Sequence, residues 1–306
     1  MKIKLLIFIY LSFVSSLSAE WFPLGKPVDK PWQIESSLEY GNKVQYYDSI
    51  AHKMLDFPED WVYKTYDLTT RFGVYLTKNI RVRFSLPYSY IHEVRFDYSG
   101  EKFSGGQNFA NSTIDIKYQF CYFKYGLWGI LKKGSIIAAY LFDNGNKDDV
   151  ISTVSYGRNE IDAELDFEFF IFPKKFSFYL NKYLLLKTKS VYEKTGTVMT
   201  FVPEFSKAGF DRGDKVTQTV TLSFQMNNYL KLEAYWYFSY AFPLRDINNI
   251  EVIDSSEYVH SIGPTIRWRV FGDSRLELSF KADFSVSYKT AYASFFVPQL
   301  STKFEF

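Results

Sequence analysis

The feature that most restricts the fold of this 306-residue chain is an alternation of apolar and polar side chains with a period of two, repeated along most of its length. In the segment 65–76 the apolar positions are Tyr66, Leu68, Phe72, Val74 and Leu76. The positions between them hold Thr65, Asp67, Thr69, Arg71 and Gly73. Successive side chains of a β-strand point to opposite faces, so this pattern predicts strands with one apolar and one polar face.

Composition agrees with an all-β chain. Aromatic residues make up 20% of the sequence and charged residues 23%, a mixture that suits half-buried strands and excludes a disordered chain or a coiled coil. The single cysteine, Cys121, excludes an intramolecular disulfide and a multi-cysteine metal site, and we interpret it as a small buried residue on a strand. No residue pattern indicates a metal or a cofactor.

The alternation predicts twelve strands, most of them about 10 to 14 residues long, which is the length that a tilted strand needs to cross a bilayer. They begin near Trp32, Thr65, Ile80, Ser112, Ser135, Asn159, Phe176, Lys215, Tyr229, Glu257, Ser274 and Phe295. Tight turns, such as residues 77–79 and 227–228, alternate with long polar segments, such as 42–64 and 190–214. We therefore predict an all-β fold, a transmembrane antiparallel up-and-down β-barrel.

Two alternatives to this architecture stay open. The seventh predicted strand, 176–187, places Lys182 among the apolar positions, and the turn 126–134 is apolar, so a count of ten or fourteen strands is not excluded. A soluble periplasmic β-sandwich also shows alternation. Its strands usually have about 5 to 6 residues, whereas the segment 276–288 keeps one register throughout. Strand length therefore favours the barrel.

The first 19 residues predict a cleaved secretory signal peptide. Lys2 and Lys4 precede an apolar stretch at 5–14 and small residues at 15–19. The mature chain, 20–306, is then a single barrel domain with 34 basic and 34 acidic residues, since the peptide holds two of the 36 Lys and Arg. This balance does not indicate nucleic-acid binding.

The chain ends on an aromatic strand. An even number of strands places both termini on the side of the tight turns, which we predict to be the periplasm. The last residues, Lys303, Phe304, Glu305 and Phe306, resemble the C-terminal signal that the barrel insertion machinery recognises in Gram-negative outer-membrane β-barrel proteins. The resemblance implies a multi-pass protein of the Gram-negative outer membrane, with this machinery and outer-membrane lipid as its partners.

Function is expected from the side chains that face the lumen, which is narrow in a barrel of twelve strands. Alternate positions of the sixth strand predict an acidic wall, formed by Asp162, Glu164, Asp166 and Glu168. Positions near the tight turns predict a basic ring, formed by Arg81, Arg83, Arg267, Arg269 and Arg275. No cation is predicted opposite the acids at mid-height, because the flanking positions include Ala139 and Tyr179. We therefore predict a porin-like channel that passes small solutes through a charged lumen.

Three alternatives to an open channel remain. The charged groups could pair across the lumen and seal it. A barrel enzyme of the lipase, deacylase or protease type would need a catalytic His, and the chain has only His52, His92 and His260. Because neighbouring strand residues face opposite sides, a dyad of His260 and Ser261 would require a bulge, and no enzyme is predicted. A structural or adhesive barrel would bind a partner through its loops, above all the segment 190–214.

A second resemblance covers residues 72–120. It rests on Phe-Gly-Val-Tyr-Leu-Thr-Lys-Asn at 72–79, Phe-Ser-Leu-Pro-Tyr at 84–88 and Asp-Ile-Lys-Tyr at 115–118. These stretches are similar to outer-membrane channels encoded with phenol-degradation pathways, which typically show a Gly-Leu-Thr turn, a Leu-Pro-Tyr near the end of the following strand and a Gly-Asp before the next. Ser-Thr-Ile-Asp at 112–115 replaces that Gly-Asp, and the Pro-Thr-Gly expected after the fifth strand is absent. The resemblance implies a channel for a small or hydrophobic solute.

Overall fold

The structure is a computed structural model that describes residues 19–21, 31–48, 51–58, 61–96, 102–104, 107–127, 131–142, 160–171, 183–195, 213–270, 276–289, 292–293 and 296–306. The predicted signal peptide lies outside these ranges except for Ala19, which belongs to a short strand, Ala19–Trp21, paired with residues 121–123. No helix in the described part of the chain is long and apolar enough to span a bilayer.

Twelve long strands form the main sheet, in the chain order in which they are numbered here. They are β1 (Trp32–Lys43), β2 (Val62–Tyr75), β3 (Ile80–Phe96), β4 (Thr113–Leu127), β5 (Leu131–Leu141), β6 (Glu160–Phe170), β7 (Tyr183–Thr195), β8 (Lys215–Gln225), β9 (Leu230–Ala241), β10 (Glu257–Arg269), β11 (Leu276–Lys289) and β12 (Phe296–Glu305).

Each strand pairs antiparallel with its neighbours in the chain, and the sheet closes on itself. β12 pairs with β1, from Gln299 opposite Glu39 to Glu305 opposite Gln33. The register of β3 and β4 runs from Ile80 opposite Tyr118 to Ser85 opposite Thr113. The all-β fold and the closed antiparallel barrel of twelve long strands are therefore confirmed for the described residues.

Contacts between strands that are not neighbours show which side chains face the interior. Lys117 on β4 reaches Asp166 on β6, with 2.7 Å between Nζ and Oδ2, and Lys187 on β7 reaches Glu233 on β9 at 3.0 Å. Each of these contacts skips one strand, so it forms only across the concave side of the sheet. The polar positions of the alternation therefore face inward.

The apolar positions face outward. Large hydrophobic side chains with exposed outer surfaces occur on nearly every barrel strand and include Leu38, Phe72, Ile116, Leu165, Leu222, Trp236, Ile266, Phe280 and Leu300. A β-sandwich would bury such a face against a second sheet. An exposed apolar belt around a polar interior is instead the arrangement of a membrane barrel.

The ends of the barrel differ in their connections, as predicted. At the turn end, Asn227 accepts hydrogen bonds through Oδ1 from the backbone N–H groups of Tyr229 and Leu230, at 2.8 Å each. At the loop end, three short strands form a separate sheet, Gln45–Asp48, Lys53–Asp56 and Tyr292–Ala293. This small sheet joins the loop between β1 and β2 to the short connection between β11 and β12.

A turn in the loop that follows β9 is stabilised by an acidic side chain. Asp246 accepts hydrogen bonds through Oδ1 from the backbone N–H groups of Ile250 at 2.8 Å and Asn248 at 2.9 Å. The hydrogen bond from Ile250 is the main cause that lowers the pKa of this exposed carboxyl. Asn249, in the same turn, has a φ of 62°.

The seventh strand differs from the prediction. β7 is Tyr183–Thr195, so it starts seven residues and ends eight residues later than the predicted 176–187, and its last residues belong to the segment 190–214 that was predicted as a loop. The outward positions of β7 include Thr188 and Ser190, which are polar. The stretch 187–190 is therefore polar on both faces and carries little alternation, so the sequence pattern specifies its register poorly. Tyr179 and Asn181 lie outside the described residues.

The backbones of β10 and β11 approach each other closely at Gly263 and Ala282. Tyr235 on β9 donates its hydroxyl hydrogen bond to the carbonyl oxygen of Ala282 at 2.8 Å and also contacts Asp283. The bond crosses β10 at Gly263, where a Cβ atom would overlap the carbonyl oxygen of Ala282 and lie 2.6 Å from the Tyr235 hydroxyl. Glycine is therefore required at position 263 for steric reasons.

We predict that Gly263→Ala weakens the barrel by about 1–3 kcal/mol, because the added methyl group forces β10 away from β11. A closed barrel resists SDS until it is heated, since no strand edge is free. The temperature at which the folded band disappears from an SDS gel should fall for this variant. Gly73→Ala is the matched control, since a Cβ there would lie 3.5 Å from the Gln33 side chain, an ordinary contact. Identical mobility of boiled and unboiled wild-type protein would contradict the closed barrel.

Candidate functional site

The predicted acidic wall lies on one face of β6. Asp162, Glu164, Asp166 and Glu168 alternate with Ala163, Leu165 and Phe167, and Ala163 and Leu165 are exposed on the outer surface. The four carboxyl groups therefore share the inner face of the barrel. On the β5 side, their directly opposite residues are Ala139, Ile137, Ser135 and Lys133.

Three of the four acids have cationic partners, so the prediction that no cation stands opposite them is wrong. Nζ of Lys117 lies 2.7 Å from Asp166, and Nζ of Lys189 lies 2.5 Å from Glu164. Glu168 is held by Lys132 at 3.0 Å and Lys133 at 2.9 Å. The error has two causes: β7 begins later than predicted and brings Lys189 inward, and Lys117 reaches across β5 from β4.

Asp162 is the exception among the acids. Its Oδ1 atom is buried and has no hydrogen-bond partner among the described residues. The strand positions directly opposite it are Ala139 on β5 and Glu193 on β7. An apolar and an acidic neighbour leave this carboxyl without the compensation that the other three acids have.

Four residues of the predicted basic ring lie near the turn end, and all four have acidic partners. Arg81 and Arg83 both contact Asp115, with shortest distances of 3.3 Å and 2.6 Å. Arg269 contacts Glu277 at 3.5 Å. Arg275, the fifth member, lies outside the described residues. The arginines are thus parts of ion-pair clusters and do not form a bare ring of positive charge.

The most highly connected of these clusters is centred on Glu233. Its carboxylate receives Lys187 at 3.0 Å, Lys231 at 2.7 Å and Nε of Arg267 at 2.7 Å. Arg267 continues to Glu277 at 3.2 Å. The cluster therefore joins β7, β9, β10 and β11 through the interior.

The interior is not completely filled by these side chains. One cavity of about 430 Å³ lies against β2 to β7 and is lined by groups that include Arg71, Arg83 and Asp115. A second cavity of about 430 Å³ lies against β6 to β11 and is lined by groups that include Tyr235, Tyr237 and Lys281. Both cavities are lined by Asp162, Glu164 and Val191. These three residues form the shared wall.

Sequence reasoning missed the β7 contribution to this site. β7 pairs with β6 on one side and β8 on the other. Its inward positions are Lys187, Lys189, Val191 and Glu193. The available signal is weak: charged residues share one parity, and Thr188, Ser190 and Tyr192 hold the other. It was hidden because the segment is polar enough to resemble a loop.

The histidines that an enzyme would need occupy different surroundings. His52 in the first long loop lies 2.7 Å from Asp254 through Nδ1, and Lys289 lies 2.5 Å from the same carboxylate. His260 lies among aromatic rings, 4.6 Å from the ring centre of Phe238, whereas Ser261 is buried. The strand pairing shifts register between these two neighbours. The side chain of His92 lies outside the described residues.

One further prediction concerns a single residue. Cys121 is buried and is not in a disulfide, as its interpretation as a small core residue requires. Within the described ranges, no three side chains of His, Cys, Asp or Glu are grouped in a way that could hold a metal ion.

The chain terminus lies at the seam where the barrel closes. The backbone N–H of Phe306 donates to the carbonyl oxygen of Trp32 at 3.0 Å, and the N–H of Trp32 donates back at 3.1 Å. The ring of Phe306 stacks on Phe304 at 5.6 Å between ring centres. Phe306 also lines a small apolar groove on the outer surface with Trp32, Ile34 and Phe72.

Comparisons with known proteins agree with this architecture. No protein-family model matches the chain, and no curated protein is similar in sequence. The structure is similar to an outer-membrane channel from Pseudomonas putida F1, with a TM-score of 0.68, 8% sequence identity, and coverage of 92% of this chain and 97% of that one. The predicted resemblance to outer-membrane β-barrels is thereby confirmed at the level of the fold.

The structure is less similar to other barrel proteins. LpxR from Salmonella typhimurium gives a TM-score of 0.46 at 8% identity and covers 90% of this chain and 100% of that one. The β domain of the Bordetella autotransporter BrkA also gives 0.46 at 8% identity, with coverage of 91% and 100%.

We predict that Glu233→Gln destabilises the barrel by about 3 kcal/mol, because it removes the buried carboxylate that three half-buried cations share. The loss should appear as a lower temperature for unfolding of the SDS-resistant band. Glu251→Gln is the control, since its pair with Arg245 is exposed and 3.6 Å long and such a pair contributes about 0–1 kcal/mol. Equal effects of the two variants would show that the Glu233 cluster does not support the barrel.

Proposed function

We propose that the protein is an outer-membrane channel that passes small solutes through its charged lumen. The observation that carries this proposal is the pair of cavities of about 430 Å³ each, which share the wall of Asp162, Glu164 and Val191 inside a closed barrel. A lumen sealed by side-chain packing would have no such space along the wall of charged groups. The fold similarity to a channel from Pseudomonas putida F1 supports the same conclusion.

The charges on the wall suit passage of polar solutes. In a tube of low dielectric constant, an isolated charge would bind its counter-ion too tightly for rapid release. Most lumen carboxylates here have a fixed cationic partner, so the residual field is moderate. We propose that the acidic wall and the basic ring act together as this compensated lining, and that overall ion selectivity is mild.

Catalysis is less well supported than transport. Hydrolytic catalysis by a triad requires a His within hydrogen-bond reach of a nucleophile. His52 is engaged with Asp254, and the His260 ring lies among aromatic rings near Phe238. Neither position supplies that geometry.

For the location of the protein we propose the Gram-negative outer membrane, with both chain termini in the periplasm. The apolar outer surface would contact outer-membrane lipid, and Phe306 would be recognised by the barrel insertion machinery. Support for this orientation comes from the position of Trp32 and Phe306 at the turn end, since short connections face the periplasm in such barrels.

We predict discrete conductance steps when the purified protein is reconstituted in a planar bilayer in KCl. Val191→Trp should lower the unit conductance by roughly twofold or more, because the larger ring occupies space in the cavities that Val191 lines. Leu165→Trp is the matched control, since Leu165 is exposed on the outer surface of β6 and its conductance should equal that of the wild type. Absence of steps in the wild-type protein would favour a sealed structural or enzymatic barrel.

The orientation of the barrel can be tested with a protease-cleavage site inserted at either end. A site inserted after Asn249, in the loop between β9 and β10, should be cut on intact cells. A site inserted after Asn228, in the tight turn between β8 and β9, should be cut only after the outer membrane is opened. The opposite result would place the termini outside the cell.

A further inference from the structure

Two paired strands, β8 and β9, carry an uncharged wall on the inner face of the barrel. Three inward positions on each strand hold a side chain that ends in a hydroxyl group. They are Thr217, Thr219 and Thr221 on β8 and, directly opposite them, Ser239, Tyr237 and Tyr235 on β9. The neighbouring strands β6 and β7 instead carry charged groups at most of their inward positions. These six residues, named here the hydroxyl wall, therefore differ in chemistry from the lining beside them.

The hydroxyl wall borders open space. All of its members except Ser239 line the second cavity, whose volume is about 430 Å³. Pockets for small molecules have volumes of about 300–1,000 Å³, so this cavity can hold a small solute. Thr219, Thr221 and Tyr237 are half-buried, so a solute in the cavity can touch their side chains.

These three residues also have hydroxyl groups that are available to a solute. The hydroxyls of Thr219, Thr221 and Tyr237 form no hydrogen bond within the described part of the chain, and the Tyr237 ring contacts no other described ring or cation. None of their oxygen atoms is one of the inaccessible, unpartnered atoms of the described residues. Tyr235 is different, because its hydroxyl donates to the carbonyl oxygen of Ala282 at 2.8 Å and Nζ of Lys281 lies 4.7 Å from its ring centre.

The strand register brings the three available hydroxyls together. Thr219 lies directly opposite Tyr237 on the adjacent strand, and Thr221 is the next inward residue of β8 and the diagonal neighbour of Tyr237. Directly opposite residues have Cβ atoms about 4.5–5.5 Å apart, and diagonal neighbours are within reach of a long aromatic side chain. One small molecule can therefore contact all three.

The charges that border the hydroxyl wall are held in ion pairs. Lys215, at the loop end of the wall on β8, pairs with Glu193 at 3.1 Å. Glu233, at the turn end on β9, pairs with Lys231 and Arg267 at 2.7 Å each. None of these groups belongs to the wall itself. The wall therefore offers hydrogen bonds without a charge of its own.

We propose that Thr219, Thr221 and Tyr237 form a subsite for a neutral polyhydroxylated solute of the monosaccharide class. This inference rests on the proposed channel function and specifies its solute class. A hydroxyl group is both a donor and an acceptor, so the three protein hydroxyls can match sugar hydroxyls in either direction. The Tyr237 ring can cover the C–H groups of a sugar ring, because the face of an aromatic ring carries negative partial charge.

Other solutes fit this wall less well. Three neutral hydroxyls supply no charge to offset the lost hydration of an ion, and a hydrocarbon would leave the hydroxyls without partners. A site inside a channel must also release its solute readily. Hydrogen bonds between neutral groups contribute little each, so a sugar held by them would leave again.

The test measures binding of methyl β-D-glucoside to the refolded protein in deuterated detergent by saturation-transfer NMR. The comparison probe is 1,4-dioxane, a neutral, water-miscible six-membered ring that has ether oxygens and no hydroxyl group. We expect saturation of the O-methyl signal of the glucoside well above that of the dioxane signal. The effect should reach a plateau as the glucoside concentration rises.

Two variants remove single hydroxyl groups from the subsite. Tyr237→Phe keeps the ring, and Thr219→Val keeps the shape of the side chain. Each should weaken glucoside binding about threefold, because one hydrogen bond between neutral groups is lost. Thr69→Val is the matched control, since Thr69 lines the first cavity and not the second. Its affinity for the glucoside should equal that of the wild type.

Each variant is first checked for a heat-modifiable folded band, and the comparison of the two probes on the wild-type protein needs no variant. Equal saturation of glucoside and dioxane would overturn the subsite. Unchanged affinity in either folded subsite variant, or an equal loss in Thr69→Val, would also overturn it. Conductance without glucoside binding would refute the subsite and leave the channel intact. Binding without conductance would support the subsite and refute the channel.

Discussion

The structure depends on the closure of the β-sheet by hydrogen bonds between its first and last strands. Trp32 and Phe306 exchange backbone hydrogen bonds at this seam, and every other barrel strand has a partner on each side. Closure leaves a strand residue only two directions for its side chain, inward or outward. The polar half of each strand is therefore collected in a narrow space, whatever its charge.

Collecting so many charges inside a narrow tube requires compensation, because an isolated buried charge is costly. The compensation comes from pairs that often skip a strand, as between Lys117 and Asp166 or Lys187 and Glu233. Such pairs connect strands that share no backbone hydrogen bonds. The same side chains thus stabilise the barrel and set the electrostatic field inside it.

Compensation is incomplete in places, and at one of them space is available beside the acid. Val191 is a small side chain between the ion pairs of β6, β7 and β8, and a cavity lies on either side of it. Asp162 lies on the same wall without an ion pair among the described residues. An acid without an ion pair in the described structure therefore lies beside unfilled space.

The sequence by itself predicted the fold class and the inward or outward direction of most side chains, and it favoured twelve strands without excluding ten or fourteen. Leu165 and Glu164, for example, are assigned to opposite faces by position alone, because the side-chain period of a strand is two. The start of β8 at Lys215 and of β10 at Glu257 also follows from this pattern. Only the tertiary structure decided the register of β7 and the partners of the acidic wall. The stretch 187–190 of β7 is polar on both faces, so its pattern does not fix where the strand lies. Asp166 meets Lys117, 49 positions away, because the curved sheet brings β4 and β6 together across β5.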